Sequence, residues 1–250
     1  MTVGNDFSPK AEKYAKYRWD YALAAVRYIL NNAGLPKDAT VADIGSGTGI
    51  LTKHFLDLAR CVYAVEPDSE MRRMAEQALA DHSSFRSVAG QSERTTLPDH
   101  SIDLITVGQA IHWFDSEPTR AELLRILRPG GWLAILWNEG TDQELGEALK
   151  RIWAEENGCK IAAGANQREA TPLAFYFGSD DFLTKCFPQS LSETWEQFFG
   201  GLCSASSSPN ETHPRFARFE GAAREVFTRF ASGDRITVSV STEVRIGQPG

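Results

Sequence analysis

A surplus of positive charge is missing from this 250-residue chain, in which 26 Lys and Arg stand against 33 Asp and Glu for a net charge of −7. DNA, RNA or an anionic membrane would find no attracting field, so none of them is expected as a partner. Cysteine is also sparse. Cys61, Cys159, Cys186 and Cys203 form no C-x-x-C pair and have no histidine at zinc-ligand spacing, which excludes a metal knuckle and a disulfide framework. No metal site is expected, and isolated thiols suit a reducing cytoplasm. No run reaches the ~18 apolar residues of a membrane span, and the opening "MTVGNDFSPKAEKYAKY" lacks the apolar core of an export signal. The expectation is a cytoplasmic protein, monomeric or homodimeric, whose partner is a small molecule.

What is present is an alternation. With 42% hydrophobic residues the chain can bury a sizeable core, in one domain with an appendage. Short, almost continuously apolar runs at 40–45, 61–67, 85–90, 101–110 and 131–138 read as strands buried on both faces. Helical segments are expected between them at 49–59, 69–81 and 117–128, the last stopped by Pro129, Gly130 and Gly131. That rhythm predicts an α/β fold with a doubly wound, mostly parallel sheet of seven strands. Beyond 141 it loosens: a helix near 143–157, the Gly/Ala loop "AAGAN" at 162–166, an aromatic stretch, the polar connector "CSASSSPNETHP", and a helix near 215–231. A strand at 236–246 is expected to run antiparallel, at the sheet's edge or centre. The organisation expected is an N-terminal helical arm (1–37), a core (38–140), and the rest of the sheet with a helical cap at about 150–235 (141–250).

"VADIGSGTGI" (41–50) places Gly45, Gly47 and Gly49 where the first strand turns into the following helix, the crevice in which such sheets bind ligands. A tight turn alone would be served by one or two glycines. The dinucleotide fingerprint G-x-G-x-x-G would need a small residue at Ile50, which weakens a dehydrogenase reading. Seventeen residues after Gly49, Glu66 ends the second strand, where a carboxylate can accept from two ribose hydroxyls.

Together with "VYAVEPDSEM", "AGQSERTTLPDHSIDLITVGQAIHWFD" and "LRPGGWLAILW", this stretch resembles the class I S-adenosylmethionine-dependent methyltransferases across residues 38–138. The "HWFD" at 112–115 is similar to the small-molecule branch that includes trans-aconitate methyltransferase-like proteins. The resemblance implies S-adenosyl-L-methionine as cofactor and S-adenosyl-L-homocysteine as product. It implies that Asp43 and the backbone of Gly45, Ser46, Gly47 and Gly49 line the methionine end. Glu66 would hold the ribose, while Pro67, Asp68 and Met71 border the adenine. Gln91 and Ser92 would serve the adenine edge by an amide oxygen and a backbone N–H. Backbone carbonyls of Gly108 and Gln109 would take the ammonium group. Tyr17 and Arg18, in an arm with Tyr14, would close over the ligand.

A sulfonium methyl is already electrophilic, so the chemistry asks chiefly for alignment, and a base only if the acceptor arrives protonated. His112, just past the fourth strand, is the candidate for that base. The Asn/Asp-Pro-Pro-aromatic cluster of amino-group methyltransferases of nucleic acids and glutamine is absent, which leaves oxygen, carbon or a small amine as acceptor, with a carboxylate or an aromatic ring in the molecule. A non-catalytic binder of the same ligands is the alternative.

Overall fold

The first apolar run becomes β1 (Thr40–Ile44), all five of whose residues are buried, and this strand lies inside the sheet with a neighbour on each side in the computed structural model, which describes residues 10–157 and 171–250. It pairs in parallel with β2 (Cys61–Val65) on one side and β4 (Ile102–Gly108) on the other. β3 (Phe85–Val88) extends β2, and β5 (Leu127–Gly140) extends β4, again in parallel. Beyond β5 the direction reverses. β8 (Arg235–Gly247) pairs antiparallel with β5, and β6 (Leu183–Thr194) pairs antiparallel with β8. The resulting order is β3-β2-β1-β4-β5-β8-β6, with a two-residue β7 (Ala231–Ser232) hairpinned onto β8. Among the described residues there are thus eight strands where seven were expected, and the extra one is that hairpin stub.

Helices cover both faces. Val26 and Ile29 of α2 (Leu23–Ala33) and Leu79 of α3 (Ser69–Leu79) pack with Leu104 and Leu136 on one face. Leu123 and Ile126 of α4 (Ser116–Ile126) join Tyr176 and Phe177 of α6 (Leu173–Phe177) over Ile105 and Ile135 on the other. Buried aliphatics of this kind contribute about 1.5–3 kcal/mol each. A separate cluster unites Ile152 of α5 (Gln143–Asn157), Phe198 of α7 (Trp195–Cys203) and Phe219 and Phe227 of α8 (Phe216–Phe230) with Ile236, Val238 and Val240 of β8. The aromatic-rich region therefore divides: Phe175, Tyr176, Phe177 and Phe182 belong to the sheet core, and Trp153, Trp195, Phe198 and Phe199 to the second cluster.

Three local expectations need correction. The helix expected over 49–59 is only a 3-10 turn at Thr52–Phe55, because the Thr52 hydroxyl and backbone N–H are both drawn to Asp43. Pro129 and Gly130 follow not a helix end but the opening of β5; the helix stops at Ile126, and the register slips between Ile102 and Leu104 to take up the extra residues. The cap expected as helical contains β6, whose polar, Pro-bearing sequence gives little strand signal but whose twelve residues all pair with β8. The Gly/Ala loop at 162–166 and Cys159 lie outside the described residues. No helix among the described residues is long and apolar enough to cross a membrane.

Candidate active site

The carboxyl ends of β1 and β4 open into a cavity of about 560 Å³, within the range of small-molecule sites. Its floor is the glycine turn. Gly45 and Gly47 have φ of +69° and +55°, a left-handed geometry that strains any residue with a Cβ. A Cβ on Gly45 would also stand 2.7 Å from that of Ala110, whereas one on Gly47 would point into open space. Between them Ser46 is buried against the cavity, and its hydroxyl has no hydrogen-bond partner. Buried hydroxyls are rarely left so, and a ligand group in the cavity would complete it.

Two acids flank this turn. Asp43 is fully buried and accepts from the hydroxyls of Thr52 (2.6 Å) and Thr106 (3.0 Å). Burial pushes its carboxyl up to about 6, and the two hydroxyls only partly offset that. Glu66 stands behind Gly47. One of its oxygens accepts from the Gly47 N–H and the other from the Asp68 N–H, both at 2.9 Å. Burial raises its pKa against the lowering effect of those two bonds. Each oxygen retains a second lone pair for a further donor.

On the opposite wall β4 ends in Gly108 and Gln109. Gly108 admits no side chain, since a Cβ there would lie 2.4 Å from the Tyr21 hydroxyl. Gln109 takes φ +54°, a strained backbone, and its side chain donates to the Asn138 carbonyl at 2.8 Å. Asn138 is buried. Its amide donates to the carbonyls of Trp19 and Asp20, and its oxygen accepts from Thr242, so it pins the start of the chain to the end of β5.

The N-terminal arm roofs the cavity. α1 (Ala11–Tyr17) and the turn after it bring Tyr14, Arg18, Trp19 and Tyr21 to the lining, with Ala205 and Ser206 beside them. The arm is fastened to that same connector by Lys10, whose ammonium donates to the carbonyls of Ala205 (2.5 Å), Ser206 (3.1 Å) and Ser208 (2.6 Å). Lys13 pairs with Glu211, and Lys16 with Glu196.

The expected site residues separate into two groups. Arg18, Asp43, Gly45, Ser46, Gly47, Gln109 and His112 all line the cavity. Tyr17 does not. Its hydroxyl donates to Glu196 and its ring lies against Gly200, so Tyr14, on the inward face of α1, stands where Tyr17 was expected. Gly49, Glu66, Pro67, Asp68, Met71, Gln91 and Ser92 are not among the residues that line it, Glu66 being held behind the turn by the Gly47 and Asp68 N–H groups. Gly49 instead packs on α3, whose Leu79 leaves no room for a Cβ. Asp68 caps α3 by accepting from the backbone of Glu70 and Met71, and Met71 is buried. Ser92 accepts from Thr119 and donates to Glu93, and the Gln91 backbone pairs with that of Arg94. Trp19, Tyr21 and Asn138, which also line it, were missed, whereas Tyr14 was expected in the arm. Asn138 had a signal, an amide at the end of the apolar run "GWLAILWN"; the aromatics of the arm reach the cavity only through tertiary packing.

His112 borders a second cavity as well, of about 520 Å³, which lies between the loop after β4 and the ends of β5 and β8. Its ring lies 4.6 Å from that of Trp113. No group of three or more potential metal ligands occurs among the described residues.

Residues 42–135, the stretch that builds the glycine turn, both acids and the strands to β5, match a methyltransferase domain family. An uncharacterized methyltransferase of Mycobacterium tuberculosis is 34% identical over 150 residues, covering 58% of this chain and 59% of that protein. Malonyl-[acyl-carrier protein] O-methyltransferase of Pectobacterium atrosepticum is 33% identical over 114 residues, 45% of this chain and 44% of that one. The chain thus aligns with about half the length of these curated relatives. A solved structure described as a type II methyltransferase of Anaeromyxobacter dehalogenans superposes with TM-score 0.65 at 22% identity, over 94% of this chain and all of that one. The YcgJ protein of Bacillus subtilis gives 0.54 at 17%, over 92% of this chain and all of that one. Residues 42–135 thus match a methyltransferase domain family over less than half of the chain, and the fold is the Rossmann-like one of the superposed methyltransferase structures.

Proposed function

We propose that the chain binds S-adenosylmethionine in the 560 Å³ cavity and transfers its methyl group to a small organic acceptor by direct in-line displacement, leaving S-adenosylhomocysteine. The observation that carries this reading is the partnerless buried hydroxyl of Ser46 between two left-handed glycines, in a cavity whose floor belongs to the stretch that matches the methyltransferase domain family. The residues fit the ligand: a glycine backbone open to close approach, a carboxylate with spare lone pairs behind it, a buried acid, and a rim of aromatic rings.

When bound, the cofactor supplies a methyl carbon made electrophilic by a sulfonium. The backbone of Gly45–Gly47 with Asp43 and Gln109 would hold its methionine end, and Arg18 its carboxylate. Glu66 would take the ribose; Pro67, Asp68, Met71, Gln91 and Ser92 would border the adenine beyond the cavity's edge. Arm residues Tyr14, Trp19 and Tyr21, with Trp113, exclude water and offer ring faces to a cation. Holding donor and acceptor in line can contribute roughly 7–11 kcal/mol to lowering the barrier, and neither a metal nor a covalent intermediate is required. His112, which touches both cavities, is placed to remove a proton from an acceptor that arrives protonated.

Calorimetric titration with S-adenosylmethionine, followed by incubation of the labelled donor with a metabolite extract, tests the reading. A labelled product of low mass is expected. Absence of cofactor binding would refute the reading. Binding without any transfer would reduce the protein to a non-catalytic binder, and label in RNA or protein would move the acceptor to another class.

A further inference from the structure

A third cavity, smaller than the other two, is lined almost wholly by hydrocarbon. It measures about 120 Å³ and lies between the N-terminal arm, α5, α7 and β8, where Trp19, Leu145, Leu149, Trp153, Phe198 and Val238 form its walls. Its charged lining residues among the described ones each have another task. Asp142 caps α5 by accepting from the Leu145 N–H at 2.9 Å, Glu193 accepts from the Trp19 indole at 2.7 Å, and the Arg18 guanidinium lies over the Tyr14 ring. This slot meets the cofactor cavity at Arg18, Trp19 and Ala205, which line both. Trp19 is a fixed wall between them, since its carbonyl also accepts from the Asn138 amide at 3.2 Å.

α5 keeps the space open to its own disadvantage. Gly146, Leu149 and Trp153 follow one another at helical spacing along the face that lines the slot. A glycine inside a helix is less stable than an alanine, yet a Cβ on Gly146 would meet no atom within 4 Å. Packing within the chain gives no reason for the missing side chain, whereas a guest in the slot does.

We propose that the slot receives the apolar body of the methyl acceptor, a single ring or a short branched chain with no charge of its own, whose reactive end lies at the edge shared with the cofactor cavity. Apolar cavities of about 150 Å³ stay dry and hold a guest the size of benzene, so this one suits about four to six carbon atoms. A polar body would give up its water to hydrocarbon walls. The assignment rests on the methyltransferase reading for the word acceptor, but the preference of the slot is measurable without turnover.

Benzene and glycerol, two neutral molecules of similar size, are the probes. Each is titrated into the protein saturated with S-adenosylhomocysteine while the indole N–H signals of Trp19 and Trp153 are followed by NMR. Benzene is expected to move both signals and glycerol neither. Gly146→Leu, which builds a side chain into the slot, is expected to weaken benzene at least 10-fold with S-adenosylhomocysteine affinity unchanged. Gly146→Ala should weaken it less and raise the melting temperature. With labelled donor and a metabolite extract, Gly146→Leu is expected to cut the product at least 10-fold, and benzene to inhibit the wild type. Glycerol moving the indole signals as benzene does, benzene leaving them unmoved or binding both variants as it binds the wild type, or product formation indifferent to Gly146→Leu and to benzene would each overturn the proposal. Failure of S-adenosylhomocysteine to bind, or binding with no labelled product at all, would instead sink the methyltransferase reading and the word acceptor with it, and the indole signals of the protein alone would then decide whether the slot takes an apolar guest.

Discussion

Asp43→Asn should make the protein more stable and its cofactor cavity worse. The folded carboxyl titrates at about 6 against an ordinary 3.8, because burial opposes its charge more than the Thr52 and Thr106 hydroxyls support it. A group whose folded pKa is raised contributes stability that is fully present below the unfolded pKa and lost as pH rises through the folded one. Between pH 4 and 6 the wild-type protein therefore loses stability, reaching a deficit of about 3 kcal/mol above pH 7, from a shift of about 2 units at about 1.4 kcal/mol each. Asparagine removes the deficit. It also replaces one charged acceptor by an amide N–H that must donate to a threonine hydroxyl, a change costing about 1 kcal/mol. The net expectation is no gain near pH 4.5 and about 2 kcal/mol near pH 7.5, or roughly 4–8 °C in melting temperature for a chain of this size. Scanning calorimetry on the ligand-free wild type and variant across that range reads it directly. The same carboxyl should release about half a proton when a cationic ligand binds at pH 6, and almost none at pH 8, because a nearby positive charge lowers its pKa. Binding enthalpies in two buffers of different ionisation heat measure that proton, and the variant should show none. A melting-temperature difference that stays flat between pH 4.5 and 7.5 would refute the reasoning.

Glu66→Ala should weaken S-adenosylmethionine binding by at least 10-fold in calorimetry, since it removes charge-assisted acceptors and loosens the Gly47 turn. His112→Ala should lower turnover by about 10²–10⁴ with cofactor affinity nearly intact, and an unchanged rate would assign the ring to packing. Glu122→Gln should destabilise the fold by about 2 kcal/mol above pH 5, because Thr95 and Arg125 hold that carboxylate at about 2 despite its burial. That contribution is lost as pH falls from 4.5 toward 2, so the variant and wild type should converge in acid melts. Lys10→Met removes three carbonyl contacts that fasten the arm, so hydrogen exchange should quicken across 11–18 and 204–208 and leave β1 and β4 unchanged.

The parallel half of the fold was legible because its code is local. Strands such as β1 and β4 are buried on both faces and so read as unbroken apolar runs, and Gly45, Gly47 and Glu66 follow directly at the strand ends, where the turn is closed by the Gly47 N–H on Glu66. The other half is written in long-range terms. β6 carries Lys185, Pro188 and mostly exposed polar residues, and it is a strand only because β8 offers it twelve partners. Tyr14 and Tyr17 are both plausible on a seven-residue helix. Only the packing of Tyr17 on Gly200 decides that Tyr14 turns inward. Thr52 likewise reads as an ordinary helix position until the acid it bonds, nine residues earlier, is seen beside it.

β8 belongs to two interiors at once. Val244 and Ile246 sit in the sheet's core, while Ile236, Val238 and Val240 are the floor of the aromatic cluster formed by α5, α7 and α8. A single stiff ribbon thus works as a tie-beam, and neither interior can open without dragging on the other. The sequence suggests a natural cut after residue 140, yet a fragment ending there would bare the β5 edge that β8 covers over Leu133–Gly140, an apolar template for self-association. The sheet core and the aromatic cluster should accordingly melt as one cooperative unit, and a ligand that tightens either should be felt as added stability in both.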